Sequence, residues 1–159
     1  VHRRCEPKVK SFRFDGVEAA EASIPVKEAI ESADVIVICP SNPWVSIDPI
    51  LRVCSPLLKG EGLGVRFVAV SPIIGGKAIK GPAAKMFAEL GIEPSALAVA
   101  KHYRNILDGF VLDNVDSNLE DEIKKLNIKT WKTDTVMNNV SDRTRLANDV
   151  LHFIGSLSK

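Results

Sequence analysis

The segment at residues 34–39 reads Asp-Val-Ile-Val-Ile-Cys. Four consecutive β-branched residues suit a strand buried on both faces, the habit of strands in parallel sheets. Parallel neighbours cannot be joined by a tight turn; each pair needs a crossover, usually a helix. The rest of the chain supplies that alternation. Residues 66–70 (Arg-Phe-Val-Ala-Val) and 109–113 (Gly-Phe-Val-Leu-Asp) read as two more buried strands. Residues 128–132 (Ile-Lys-Thr-Trp-Lys) read as a fourth, less apolar and so nearer an edge. Helical periodicity falls between them, at residues 25–33, 49–58, 82–90 and 95–107. Ser117 and Glu120 are spaced as a capping box for a further helix. Ser141 is expected to cap the last one, which would turn Leu146, Val150, Phe153, Ile154 and Leu157 inward. Residues 8–15 alternate and predict a short, half-exposed strand ending at the Asp15-Gly16 turn. The order is that of an α/β fold with a mainly parallel sheet.

In such a sheet every strand's carboxyl end points the same way, and the loops there form the ligand crevice. Four polar loops are expected to converge. They carry Ser41, Asn42 and Ser46; Ser71 to Lys80; Asp113 to Ser117; and Asp134 with Thr135 to Asn138. The second begins as a buried strand and passes through Ser71-Pro72 and Gly75-Gly76. It then carries Lys77 and Lys80 and enters a helix near Pro82. Small residues, free amides and lysines before a helix suit an anion. Its plainer reading is a turn with a solvated lysine. It is not a Walker loop, because the glycine spacing differs and Ala78 stands where Ser or Thr is needed. Gly60, Gly62 and Gly64 precede a strand instead of following one, so they read as a connector. Ser41-Asn42-Pro43 is open to an ordinary turn or to binding a carboxylate or phosphate through side chains and amides. Asp113 and Asp116 are open to holding a divalent cation or to starting a helix. His102 is expected to be structural or exposed, and Cys39 to be a small core residue.

Composition limits the alternatives. A net charge of +1 supplies no basic field for nucleic acid. No apolar run approaches the roughly 18 residues of a membrane helix. Three cysteines without CxxC spacing argue against disulfides and structural zinc, and fit a cytoplasmic setting. No Ser-His-Asp or Cys-His set supports covalent hydrolysis. The 159 residues suit a single α/β domain or a domain fragment. The opening Val-His-Arg-Arg, without an initiator Met, reads as the middle of something longer.

Four segments together carry a family resemblance: SNPWVSIDPIL at residues 41–51, VAVSPIIGGKAIKGPAAKM at 68–86, DGFVLDNVD at 108–116 and DTVMNNVSDRTRLANDVL at 134–151. They resemble the 2-phospho-L-lactate transferase family of coenzyme F-420 biosynthesis. The resemblance implies a Rossmann-like sheet and transfer of a phospholactyl or phosphoenolpyruvyl group. The donor would be guanosine diphosphate-linked and the acceptor the ribityl hydroxyl of a deazaflavin precursor, with GMP released and Mg2+ required. It further implies that Ser71, Gly75 and Gly76 cradle phosphate, with Lys77 or Lys80 as the charge. Ser41, Asn42 and Ser46 would bind the donor's phosphate or carboxylate. Asp113, Asp116, Asp134 and Thr135 would meet metal, substrate or a ribityl hydroxyl. The family's glycine-rich first half has no counterpart here. The chain is therefore expected to be the C-terminal half of a larger α/β domain, able to fold yet inactive alone. Its unpaired edge strand would invite a homo-oligomer or a separate N-terminal piece. The competing reading is a non-catalytic regulatory protein that binds nucleotide-sugars on the same scaffold; the SNP-S-I-PIL segment favours the transferase.

Overall fold

The computed structural model describes residues 8–58, 64–79 and 81–157. Cys5, Gly60, Gly62 and Lys80 lie outside the described residues. Four parallel strands form the main sheet: β1 (Val35–Ile38), β2 (Arg66–Val70), β5 (Gly109–Asp113) and β6 (Lys129–Thr133), in the spatial order β1-β2-β5-β6. Val37 pairs with Val68, Ala69 with Phe110, and Val111 with Trp131. A small antiparallel hairpin, β3 (Ile73–Ile74) with β4 (Lys77–Ala78), interrupts the crossover after β2. The helices are α1 (Ile24–Glu31), α2 (Asp48–Leu58), α3 (Ala83–Glu89), α4 (Ala96–Tyr103), α5 (Glu120–Lys124) and α6 (Val140–Leu157). Among the described residues, no helix is long and apolar enough to cross a membrane.

The two-residue period of the strands divides the core. Phe67, Ala69, Phe110 and Leu112 face α3, α4 and α5, in a cluster with Phe87, Val99 and Ile123. Val68, Val70 and Val111 face α6, which answers with Leu146, Val150, Phe153 and Leu157. α6 crosses β5 closely: a Cβ on Gly109 would lie 2.8 Å from the Phe153 ring, so a larger residue there would have to displace that ring.

Four expectations are corrected. Residues 8–14 form no strand. Val9, Phe12 and Phe14 settle on helices instead: the Val9 amide donates to Glu89, Phe12 stacks on Trp44, and Phe14 lies under Arg52. Their alternation serves helix surfaces and not a sheet. The Ser117–Glu120 capping box does not form, because the chain first makes a 3-10 turn at Asn114–Leu119 capped by Asp113. α6 starts one residue before Ser141, and Asn139 Oδ1 accepts from the Asp142 amide at 3.0 Å. β1 is an edge strand with Val37 38% exposed, and Cys39 beyond it is exposed, not a core residue.

Candidate functional site

The carboxyl ends of β1, β2 and β6 surround a cavity of about 400 Å³. Ser41, Asn42, Val45 and Ser46 line it from the segment after β1. Ser71, Pro72, Ile74 and Ile79 line it from the hairpin region, and Thr135, Val136 and Met137 from the loop after β6. Three of the four expected loops thus converge. Among the described residues, the fourth, after β5, does not line the cavity but braces two that do.

The chain after β1 cannot extend the strand, because Pro40 and Pro43 remove donors. It winds instead into a wide π-helical turn, Pro43–Ile47, that runs straight into α2. Asn42 organises this turn. Its Oδ1 accepts from the amides of Trp44 at 3.1 Å and Val45 at 3.3 Å, and its Nδ2 contacts Met86 Sδ at 3.0 Å. Asn42 is therefore a capping residue with its polar atoms engaged. Ser41 and Ser46 differ: both are half-buried against the cavity, and among the described residues neither hydroxyl has a hydrogen-bond partner.

Gly75 and Gly76 form the two-residue turn of the hairpin, at φ 55° and 76°. Two consecutive positive φ values are what such a turn demands, and glycine meets them without strain. Ser71 is 1% exposed, and its hydroxyl donates to the Ile73 carbonyl at 2.8 Å and accepts from the Ile73 amide at 3.2 Å. Lys77 is exposed on β4, outside the cavity lining, and has no ion pair among the described residues.

The loop after β5 is closed on itself. Asp113 is 4% exposed and accepts from the Val115 amide at 3.0 Å, the Thr135 amide at 2.8 Å and the Thr135 hydroxyl at 3.0 Å. Burial pushes its pKa up, but those bonds and nearby Arg145 outweigh burial and hold it below the ordinary carboxylate value. Asp116 is 5% exposed and takes the Gly75 amide with both oxygens at 3.1 Å. Burial raises its pKa, and the Asp113 charge adds to the rise, against the opposing Gly75 bond. The two aspartates tie the β5 end to the β6 loop and to the hairpin.

Magnesium demands several unencumbered oxygens in near-octahedral array. Asp113 and Asp116 are buried, their oxygens accept protein donors, and neither lines the cavity. Among the described residues no group of three or more His, Cys, Asp or Glu is placed to hold a metal ion. These two carboxylates alone do not fit such a site.

Asp134 lies on the surface, where its Oδ1 accepts from the Val136 amide at 3.0 Å and its Oδ2 meets Arg145 at 3.2 Å. Arg145 also donates to the carbonyls of Asp134 and Val136, fixing the cavity wall there. Sequence reasoning missed Arg145, whose partners lie 9 and 11 residues away, off the helix. It also missed the contact between His102 and Asp48, which lie 54 residues apart.

Residues 1–151 match the protein family described as 2-phospho-L-lactate transferase CofD. The chain is 42% identical over 154 residues to the 2-phospho-L-lactate transferase of Methanothermobacter thermautotrophicus, covering 95% of this chain and 48% of that protein. It is 35% identical to the enzyme of the same name from Methanocaldococcus jannaschii, covering 99% and 49%. It is 39% identical to the phosphoenolpyruvate transferase of Streptomyces griseus, covering 86% and 43%. The chain spans about half the length of the curated relatives it matches.

Proposed function

Because the chain belongs to the 2-phospho-L-lactate transferase family, we propose that it serves in moving a phospholactyl or phosphoenolpyruvyl group between a guanosine diphosphate-linked donor and a deazaflavin precursor, in making coenzyme F-420. In that reaction the terminal ribityl hydroxyl oxygen attacks the donor phosphorus bearing the organic acid. The phosphoanhydride bond breaks, GMP leaves with the bonding electrons, and the hydroxyl proton passes to solvent. Such chemistry relies on positioning and charge stabilisation more than on a covalent nucleophile.

The observation that carries this reading is that Ser41 and Ser46, whose hydroxyls have no hydrogen-bond partner among the described residues, line a cavity at the strand carboxyl ends. They are the groups assigned to the donor's phosphate or carboxylate. Lys77, exposed and without an ion pair among the described residues, is assigned the charge that approaches from the hairpin. Ser71, Asn42, Thr135, Asp113 and Asp116 act by holding these walls. The relatives are named for both a phospholactate and a phosphoenolpyruvate substrate, so both donors stay in the proposal.

The test is a titration of the chain with GDP and with the deazaflavin precursor, followed by a transfer assay. The assay uses the chain itself and the chain joined to the complementary half of a relative. Replacing both Ser41 and Ser46 with Ala should weaken GDP about tenfold, the value of one or two hydrogen bonds to a charged group. Unchanged GDP affinity in that variant would refute the phosphate assignment, and UDP-sugar binding without deazaflavin binding would refute the transferase reading.

A further inference from the structure

Behind the turn that carries Ser46 lies a contact that the reaction itself does not use. Asp48 is the first residue of α2, and His102 sits in the last turn of α4. His102 Nε2 lies 2.8 Å from Asp48 Oδ1, and each side chain is 22% exposed. A carboxylate at a helix start complements the helix dipole, so Asp48 is well placed at the start of α2.

The turn is held at both ends. At its start Asn42 binds the amides of Trp44 and Val45. At its end the chain passes from Ile47 directly into Asp48, which His102 holds. Between them Trp44 is clamped edge-on, with the His102 ring at 5.6 Å and the Phe87 ring at 4.3 Å. Neither Asp48 nor His102 lines the cavity. The neighbouring Tyr103 hydroxyl is buried without a partner among the described residues, so it does not share the Asp48 carboxylate. Only His102 bonds it from α4.

We propose that His102, acting through Asp48, is a positioning residue for donor binding: the pair sets where the 42–47 turn presents Ser46 and its neighbour Ser41. The proposal rests on the reading above that this turn receives the donor. A packing histidine would affect stability alone. A positioning histidine affects one ligand and not the other.

Two variants separate these roles. His102→Ala removes the contact, and His102→Gln keeps a nitrogen donor at a similar reach. The chain is titrated with GDP and, separately, with the deazaflavin precursor, and backbone amide shifts are recorded in the absence of ligand. His102→Ala should displace the amide signals of Trp44, Val45 and Ser46 and weaken GDP about fivefold, with the precursor unaffected. His102→Gln should restore GDP binding to within about twofold of the parent. Unmoved turn amides in His102→Ala, equal losses for both ligands, or no rescue by Gln would each overturn the proposal. A parent chain that binds no GDP would refute the functional reading, while the amide shifts still decide whether His102 positions the turn.

Discussion

The turn after β1 and the loop after β5 leave the same edge of the sheet, with only β2 between them. Both carry short polar side chains, yet they use them differently. After β5, Asp113 and Asp116 are nearly inaccessible, and their oxygens accept from Val115, Thr135 and Gly75. Asp113 is a buried carboxylate satisfied by three donors, while Asp116 shares the Gly75 amide between its two oxygens. After β1, Asn42 engages its oxygen and its nitrogen, while Ser41 and Ser46 are half-buried and their hydroxyls have no hydrogen-bond partner among the described residues. A ligand can bind only to groups that the fold has left available. The contrast supports the proposal that ligand binding falls to the β1 side and bracing to the β5 side, although the aspartates looked the more chemical of the two in sequence.

The largest effect that could break this contrast is at Asp113. Asp113→Asn places an amide against three donors and should cost about 3 kcal/mol in urea unfolding, the range for leaving buried donors unpaired. The loss should depend on pH. The folded-state pKa of Asp113 is lowered, so its stabilisation is present above the unfolded carboxylate value and fades as pH falls through the folded one. A variant as stable as the parent would show that the β5 loop is not the rigid partner.

A smaller effect sharpens the picture at the far end of the same loop. Glu120 bonds Lys132 at 2.6 Å, Lys124 at 2.9 Å and the Thr130 hydroxyl at 3.0 Å, stapling α5 to β6. Those partners, Lys132 first, hold its pKa down to about 2 from an ordinary 4.5. A lowered carboxylate stabilises above its unfolded value, so this contribution should drain away as pH falls from 4.5 toward about 2. Glu120→Gln should flatten that acid limb in a pH series of thermal melts and cost under about 1 kcal/mol at neutral pH, because the lysines are solvated. An unchanged acid limb would remove Glu120 from the bracing.

Much of the sheet was legible because continuous β-branched runs such as Val35–Ile38 have few other uses. The convergence of loops was legible too, since parallel topology forces it. Other features were hidden for physical reasons. The Val9–Phe14 alternation imitates a strand, yet Phe12 stacks on Trp44 of the π-helical turn and Phe14 lies under Arg52 of α2. The caps at Ser117 and Ser141 do not form because the helical turns start earlier, with Asp113 capping the Val115 amide and Asn139 the Asp142 amide. The hairpin strands are two residues each, too short for a pattern, although Gly75-Gly76 is the turn such a hairpin needs. Which polar groups are engaged could not be read at all. The decisive partners lie 22 residues apart for Asp113 and Thr135, 41 for Gly75 and Asp116, and 54 for Asp48 and His102.

The most direct test of the contrast is a map of backbone amide shifts on titrating the chain with GDP. The signals of Ser41, Val45 and Ser46 should move with saturation while those of Asp113 to Ser117 hold still. Shifts concentrated on Asp113 to Ser117, with the β1 turn silent, would contradict it.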